Sequence, residues 1–205
     1  MEALLYISAA LAAYLVAGWN PAITFSKAIY KKDIRTCGSG NPGFTNFRRS
    51  FGNRWAPHVL VLDLFKAAVV VGIFAWLFGK HLGNYQFGAA YTGLFAVLGH
   101  AFPIWYKFKG GKGFLVNVSI IWFIDWRVGL FAVALMLILL FTTKYMSLAT
   151  VVAMLTCPIV LLIVNTQPSV VCIYAACVVF MAVRHKENFK RLLNGTESKF
   201  KVKTH

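Results

Sequence analysis

Seven apolar runs, at 3–25, 56–79, 85–104, 113–124, 128–142, 146–164 and 169–183, take up most of this chain of 205 residues. A perpendicular helix needs about 20 apolar residues to cross a bilayer core. Inside that core every backbone N–H and C=O must be paired within the protein. These runs therefore predict an all-α, polytopic integral membrane bundle, a single domain over 1–205. Composition agrees: 59% of residues are hydrophobic and only 13% charged, with a mean hydropathy of +0.67, whereas soluble domains carry about 25% charged residues. The fourth run, "GFLVNVSIIWFI", is short. It predicts a half-span or a helix shielded by its neighbours, and five full spans with re-entrant pieces is the alternative count.

Charge orients the bundle. The formal net charge is +15, from 21 Lys+Arg against 6 Asp+Glu. In a soluble protein this excess points to nucleic acid. Here the basic residues lie between apolar runs, so it points to membrane topology and to an anionic substrate, and no nucleic-acid partner is expected. With seven helices, eighteen of the Lys and Arg residues fall in the segments 26–55, 105–112, 143–145 and 184–205. Only Lys80 and Arg127 fall on the other side, and Lys66 sits within a run. Cytoplasmic loops carry the positive excess. The expectation is an N-terminus outside and a C-terminus in the cytoplasm. Met1-Glu2 before the first run is not the basic flank of a cleavable signal peptide. Cys37, Cys157, Cys172 and Cys177 show neither disulfide nor zinc spacing.

The three most polar stretches share the basic side. In "CGSGNPGFTNFRR" (37–49), Gly38, Gly40 and Gly43 permit tight backbone turns. Ser39, Asn41, Thr45 and Asn46 offer short polar side chains, and Arg49 offers a planar donor fork suited to phosphate. An anion-binding nest and a flexible basic loop explain this stretch equally well. In "YKFKGGKGF" (106–114), Lys109 and Lys112 alternate with Gly110, Gly111 and Gly113 ahead of a run. Glycines at a helix N-terminus admit a close phosphate, although the Walker spacing is absent, and an ordinary basic loop flanking the membrane is the alternative. In "RHKENFKRLLNGTESK" (184–199), His185 and Asn188 share a helix face, with an interfacial amphipathic tail as the alternative. His100, near the end of the third run, reads as a structural hydrogen-bonding residue. Asp63 and Lys66, at i and i+3 within the second run, read as an ion pair beneath the site, because an isolated ionised group there is costly, with a proton or ion path as the rival reading. Six scattered carboxylates do not make a two-metal phosphate site, so no metal and no cofactor is expected.

Taken together, these stretches resemble the bacterial acyl-phosphate-dependent glycerol-3-phosphate acyltransferases, the PlsY-type membrane family. The matching residues are Gly38-Ser39, Asn41, Gly43, Thr45-Asn46 and Arg49, then Gly99-His100, Pro103 and Phe108 to Gly113. Arg184-His185, Asn188, Arg191-Leu192, Gly195 and Glu197 follow, and Asp63 and Lys66 match a D-x-x-K in the second span. Pro42, Phe44 and Phe114-Leu115-Val116 depart from the family's usual residues. The resemblance implies acyl transfer from acyl phosphate to the sn-1 hydroxyl of glycerol 3-phosphate at the cytoplasmic face of a bacterial inner membrane. It implies that Ser39, Arg49, Lys112, His185 and Asn188 hold glycerol 3-phosphate or its acceptor hydroxyl, with His185, Ser39 and Asn188 as the catalytic residues. It further implies that Lys109, Gly110, Gly111 and Gly113, with Asn41, Thr45 and Asn46, hold the acyl phosphate, and that His185 or a substrate phosphate oxygen takes the proton. A transporter of an anionic metabolite is the rival reading. It calls for polar residues near the bilayer midplane and often for repeated halves, and this chain has its polar stretches at one face and no repeat.

Overall fold

The computed structural model describes residues 1–200, and among these there is no strand. Ten α-helices follow in order: α1 (Glu2–Gly18), α2 (Pro21–Tyr30), α3 (Phe44–Phe51), α4 (Ala56–Leu82), α5 (Tyr85–Ala101), α6 (Phe114–Ile124), α7 (Trp126–Thr143), α8 (Met146–Ile163), α9 (Pro168–Arg184) and α10 (Lys186–Leu193). Five stretches are long and apolar enough to cross a membrane, six if α9 and α10, bent by 51°, form one span. Each apolar run corresponds to a helix, and α6 is the short one, as its run predicts. Lys201 and Lys203, counted above on the basic side, lie outside the described residues.

The first run departs from the expected 3–25 helix. It breaks at Trp19-Asn20, where the Asn20 side chain accepts from the Ile23 N–H (3.0 Å) and Pro21 opens α2. Proline suits this position because its missing N–H would have no intrahelical partner. The break has a further consequence, since it frees the Trp19 carbonyl from the helix ladder.

Small residues let the helices approach closely, as packing within a membrane requires. Ala9, Ala13 and Ala17 of α1, spaced four apart, are fully buried, and α1 packs on α5 and α4. A Cβ at Gly99 of α5 would overlap the main chain of Tyr14. The core between α4, α5, α6, α8 and α9 is filled by Val71, Ile120, Ile121, Met154, Leu161 and Tyr174, all buried.

α6 has 11 residues, about 16 Å at 1.5 Å per residue, roughly half of a hydrocarbon core. It is central, touching α4, α5, α7, α8 and α9. Its last carbonyl, Ile124, accepts from Gln86 at the start of α5 (2.9 Å). Its cap, Gly113, lies by Val97, one turn short of the end of α5. The loop before α6 is thus recessed into the bundle.

Below that loop Lys66 is buried. Its ammonium donates to the Trp19 carbonyl (2.5 Å), meets Asp63 Oδ1 (2.8 Å) and faces His100 Nδ1 (3.1 Å). An ammonium carries donors only, and its contact with Asp63 is an ion pair outside hydrogen-bond geometry. His100 Nδ1 is then the accepting nitrogen. The contact between Asp63 and Lys66 is the ion pair expected from their i, i+3 spacing. Breaking one partner of a buried pair costs about 3–5 kcal/mol, while replacing both is far milder. Lys66→Met is therefore expected to lower thermal stability in detergent sharply, and Asp63→Asn/Lys66→Met is expected to recover much of the loss. Equal loss in both variants would disprove the pairing.

Candidate active site

One cavity of about 400 Å³ collects residues from all three polar stretches. Its polar lining comes from Ser39, Asn41, Gly43, Thr45, Asn46 and Arg49, from Lys112 and Gly113, and from His185, Asn188, Arg191 and Glu197. Its apolar lining comes from Leu60 and Leu64 of α4, Phe114, Leu115 and Val118 of α6, and Val133, Met136, Leu137 and Leu140 of α7. Asp63 and His100 also reach the lining.

The first stretch folds around Asn46, which is 3% exposed. Asn46 Oδ1 accepts from the Ser39 N–H (3.0 Å), and its amide donates to the carbonyls of Cys37 (2.9 Å) and Asn41 (3.1 Å). Gly38 has φ +53°, and a Cβ there would collide with Asn46 Oδ1. Asn46 thus shapes the loop and has little capacity left for a ligand. Ser39 and Arg49 are exposed and line the mouth. The loop is tied to the second stretch through Arg35, which donates to the Tyr106 carbonyl (2.9 Å) and pairs with Asp33 (2.7 Å). The hydrogen bond from Arg35 holds the Asp33 carboxyl well below the usual range, outweighing its burial.

The lysine-glycine loop differs from expectation. The Gly110 N–H donates to the Ala101 carbonyl and the Gly111 N–H to the His100 carbonyl (both 3.1 Å). These two donors are therefore spent on the fold, and neither glycine lines the cavity. A Cβ at Gly110 would strike the His100 carbonyl, and one at Gly111 the His100 ring. Glycine is required here for close packing on α5. Lys109 is exposed and also lies outside the lining. Gly113, at φ +87°, turns the chain into α6, whose first-turn N–H groups have no intrahelical partner.

Lys112 is the half-buried cation of this loop, and its ammonium donates to Asn188 Oδ1. Burial, with Arg191 nearby, lowers its pKa to about 8. Asn188 donates in turn to Glu197 Oε1 (2.7 Å), which also accepts from Ser147 (2.9 Å), while Arg191 Nε donates to Glu197 Oε2 (2.7 Å). Burial would raise the Glu197 pKa, but the hydrogen bonds from Asn188, Arg191 and Ser147 hold it low. His185 sits at the break between α9 and α10 and is 6% exposed. Its Nδ1 meets the Met181 carbonyl at 2.8 Å. A carbonyl only accepts, so Nδ1 carries the proton and Nε2 has the free lone pair. Burial pushes the His185 pKa down to about 4, against a raising effect of the Met181 contact.

Of the residues expected at a phosphate site, the fold therefore gathers Ser39, Asn41, Thr45, Asn46, Arg49, Lys112, Gly113, His185 and Asn188. It leaves Lys109, Gly110 and Gly111 outside. Arg191, Glu197 and Ser147 join the cluster without having been counted among the site residues. The i, i+3 spacing of Asn188 and Arg191 signals a shared helix face, whereas nothing local marks Ser147.

Known proteins resemble this chain in both sequence and fold. A family model described as glycerol-3-phosphate acyltransferase matches residues 7–195. Proteins named glycerol-3-phosphate acyltransferase are similar along nearly the whole chain. The one from Rhizobium etli (strain CIAT 652) is 37% identical over 96% of this chain and 92% of its own. That from Thermoanaerobacter sp. (strain X514) is 37% identical over 95% and 96%, and that from Coxiella burnetii (strain RSA 493 / Nine Mile phase I) is 35% identical over 96% and 99%. Among solved structures, the glycerol 3-phosphate form of PlsY, an integral membrane glycerol 3-phosphate acyltransferase, superposes with a TM-score of 0.85 at 31% identity, covering 96% of both chains. The form of PlsY with lysophosphatidic acid superposes at 0.84 and 28% identity, covering 96% of this chain and 95% of that one. With its three polar stretches meeting in one cavity and these likenesses running from end to end, the chain belongs to the glycerol-3-phosphate acyltransferase family.

Proposed function

We propose that the protein transfers a fatty acyl group from acyl phosphate to the sn-1 hydroxyl of glycerol 3-phosphate, giving lysophosphatidic acid and inorganic phosphate. The observation that carries this reading is the mixed lining of the cavity. Lys112, Arg191 and Arg49 suit phosphoryl oxygens, and the apolar side chains from α4, α6 and α7 suit an alkyl chain. A ligand that carries both phosphate and hydrocarbon matches both kinds of lining.

In this mechanism Lys112, Arg49 and Ser39 hold glycerol 3-phosphate, while Asn188, braced by Glu197, fixes the Lys112 ammonium. Asn41, Thr45 and the first-turn N–H groups of α3, whose cap Gly43 faces the cavity, receive the acyl phosphate. Lys109 and the backbones of Gly110 and Gly111 have no direct part, because they lie outside the lining. The sn-1 oxygen attacks the acyl carbon and its proton passes to His185 Nε2. The bond from the acyl carbon to the phosphate oxygen then breaks, and inorganic phosphate leaves with its electron pair. An acyl phosphate is already activated, so positioning can supply up to about 7–11 kcal/mol of the barrier reduction. Cations and N–H groups stabilise the charge that develops on the carbonyl oxygen and leaving group. His185 is a weak base in the empty site, and a bound phosphate anion raises its pKa.

The direct test is release of inorganic phosphate from acyl phosphate by purified protein, with and without glycerol 3-phosphate. Acceptor-dependent release together with lysophosphatidic acid is expected. Release that ignores the acceptor would overturn the proposal, and a metabolite transporter would give none.

Protonation sets two further expectations. Lys112 is cationic below about pH 8 and loses its charge above it, so kcat/KM falls as pH rises through that value. Lys112→Arg, always protonated, should be slower overall and lack this alkaline limb. His185→Gln should lower kcat by about 10²–10⁴-fold, the range of a lost general base, with a smaller change in KM. A Lys112→Arg profile that keeps the limb, or an unimpaired His185→Gln, would refute these roles.

For topology, the proposal is seven membrane helices, α1, α4, α5, α6, α7, α8 and α9, with the N-terminus outside and the cavity mouth at the cytoplasmic face of a bacterial inner membrane. Single cysteines at 37 and 198, in an otherwise cysteine-free chain, should resist an impermeant maleimide applied to intact cells. Single cysteines at 84 and 167 should react. The reverse pattern would invert the bundle.

A further inference from the structure

We propose that Arg184 is a positioning residue that clamps the lysine-glycine loop and so aims Lys112, and that it does not touch substrate. The inference rests on the reading above that Lys112 holds a substrate phosphate. By residue type alone, Arg184 next to His185 looks like one more phosphate ligand. Its surroundings show otherwise. Arg184 Nε donates to the Gly111 carbonyl (2.9 Å) and a terminal nitrogen donates to the Gly110 carbonyl (3.3 Å). The guanidinium lies over the rings of Phe102 (5.2 Å) and Phe180 (5.9 Å), and these rings meet edge to face at 5.8 Å. Arg184 is half-buried there and lies outside the cavity lining.

The two glycines are therefore held from both sides. Their N–H groups go to Ala101 and His100 on α5, and their carbonyls go to Arg184 at the end of α9. His100 is itself fixed by the Lys66 cluster. Lys112 follows immediately, and its ammonium donates to Asn188 on α10. Glycine has no side chain to anchor it and is conformationally permissive, so two consecutive glycines leave Lys112 poorly directed unless their peptide groups are pinned. A planar fork can bond both carbonyls while it stacks on aromatic rings, which a lysine ammonium cannot do.

The test is a double-mutant cycle on the full-length protein in lipid nanodiscs, with Arg184→Gln, Lys112→Ala and the double variant. KM and kcat for glycerol 3-phosphate are read by phosphate release, and hydrogen exchange is followed over 107–113. Arg184→Gln should raise KM about ten-fold or more, the loss of one charge-assisted hydrogen bond, and should speed exchange at Gly110 and Gly111. In the Lys112→Ala background it should add little, because Arg184 acts through Lys112. Arg184→Lys should not restore KM. Phe180→Leu, which keeps the charge and loosens the stack, should move KM in the same direction by less. A smaller fraction of folded enzyme would lower kcat at constant KM, so that result counts against the proposal. So do penalties that multiply in the double variant, and so does unchanged exchange. If the wild type shows no acceptor-dependent release, the functional reading falls, and the exchange measurement still decides the clamp.

Discussion

A lysine ammonium buried in an apolar bundle is tolerable only if its charge is compensated by nearby groups, and the structure is arranged to give Lys66 three partners. One comes from its own helix, Asp63. Another, the Trp19 carbonyl, is available because the first apolar run breaks there. The third is a ring nitrogen of His100 at the end of α5. Three elements are thus held at one depth by one cation. The loop that carries Lys112 is built on the backbone of His100, so its height in the membrane is set from below by the same cluster.

Above that support the cavity solves a charge problem. Lys112 and Arg191 stand close together, and Glu197, bonded to Asn188, Arg191 and Ser147, offsets part of their repulsion. A carboxylate among cations weakens their field, but it fixes the direction of the donors that remain. Catalysis by preorganised donors depends on that fixing more than on total charge. The same cluster gives Asn188 a defined amide orientation, with its oxygen toward the ammonium and its nitrogen toward the carboxylate.

Much of this was legible in the order of residues. Apolar runs gave helix positions to within a few residues, and the i, i+3 pair Asp63 and Lys66 predicted its own contact. Three polar stretches on the basic side anticipated one site. The misses have physical causes. Asn20-Pro21 is a capping signal hidden inside an apolar run, so the break at Trp19 went unseen. Gly110 and Gly111 look like phosphate-binding glycines by composition, yet their N–H groups are consumed by α5. Ser147 and Glu197 meet across 50 residues of chain, a separation that no local pattern encodes.

Hydropathy and charge are sums over local chain. By itself the sequence therefore determined that this is a helical membrane protein, pointed to the face that carries its cations, and supplied the residue types that handle phosphate. Which donors remain unpaired after folding is a property of contacts between distant segments. Only the tertiary structure decided that Lys112 faces the cavity while Lys109 does not, that two glycines serve packing, and that Arg184 holds a loop.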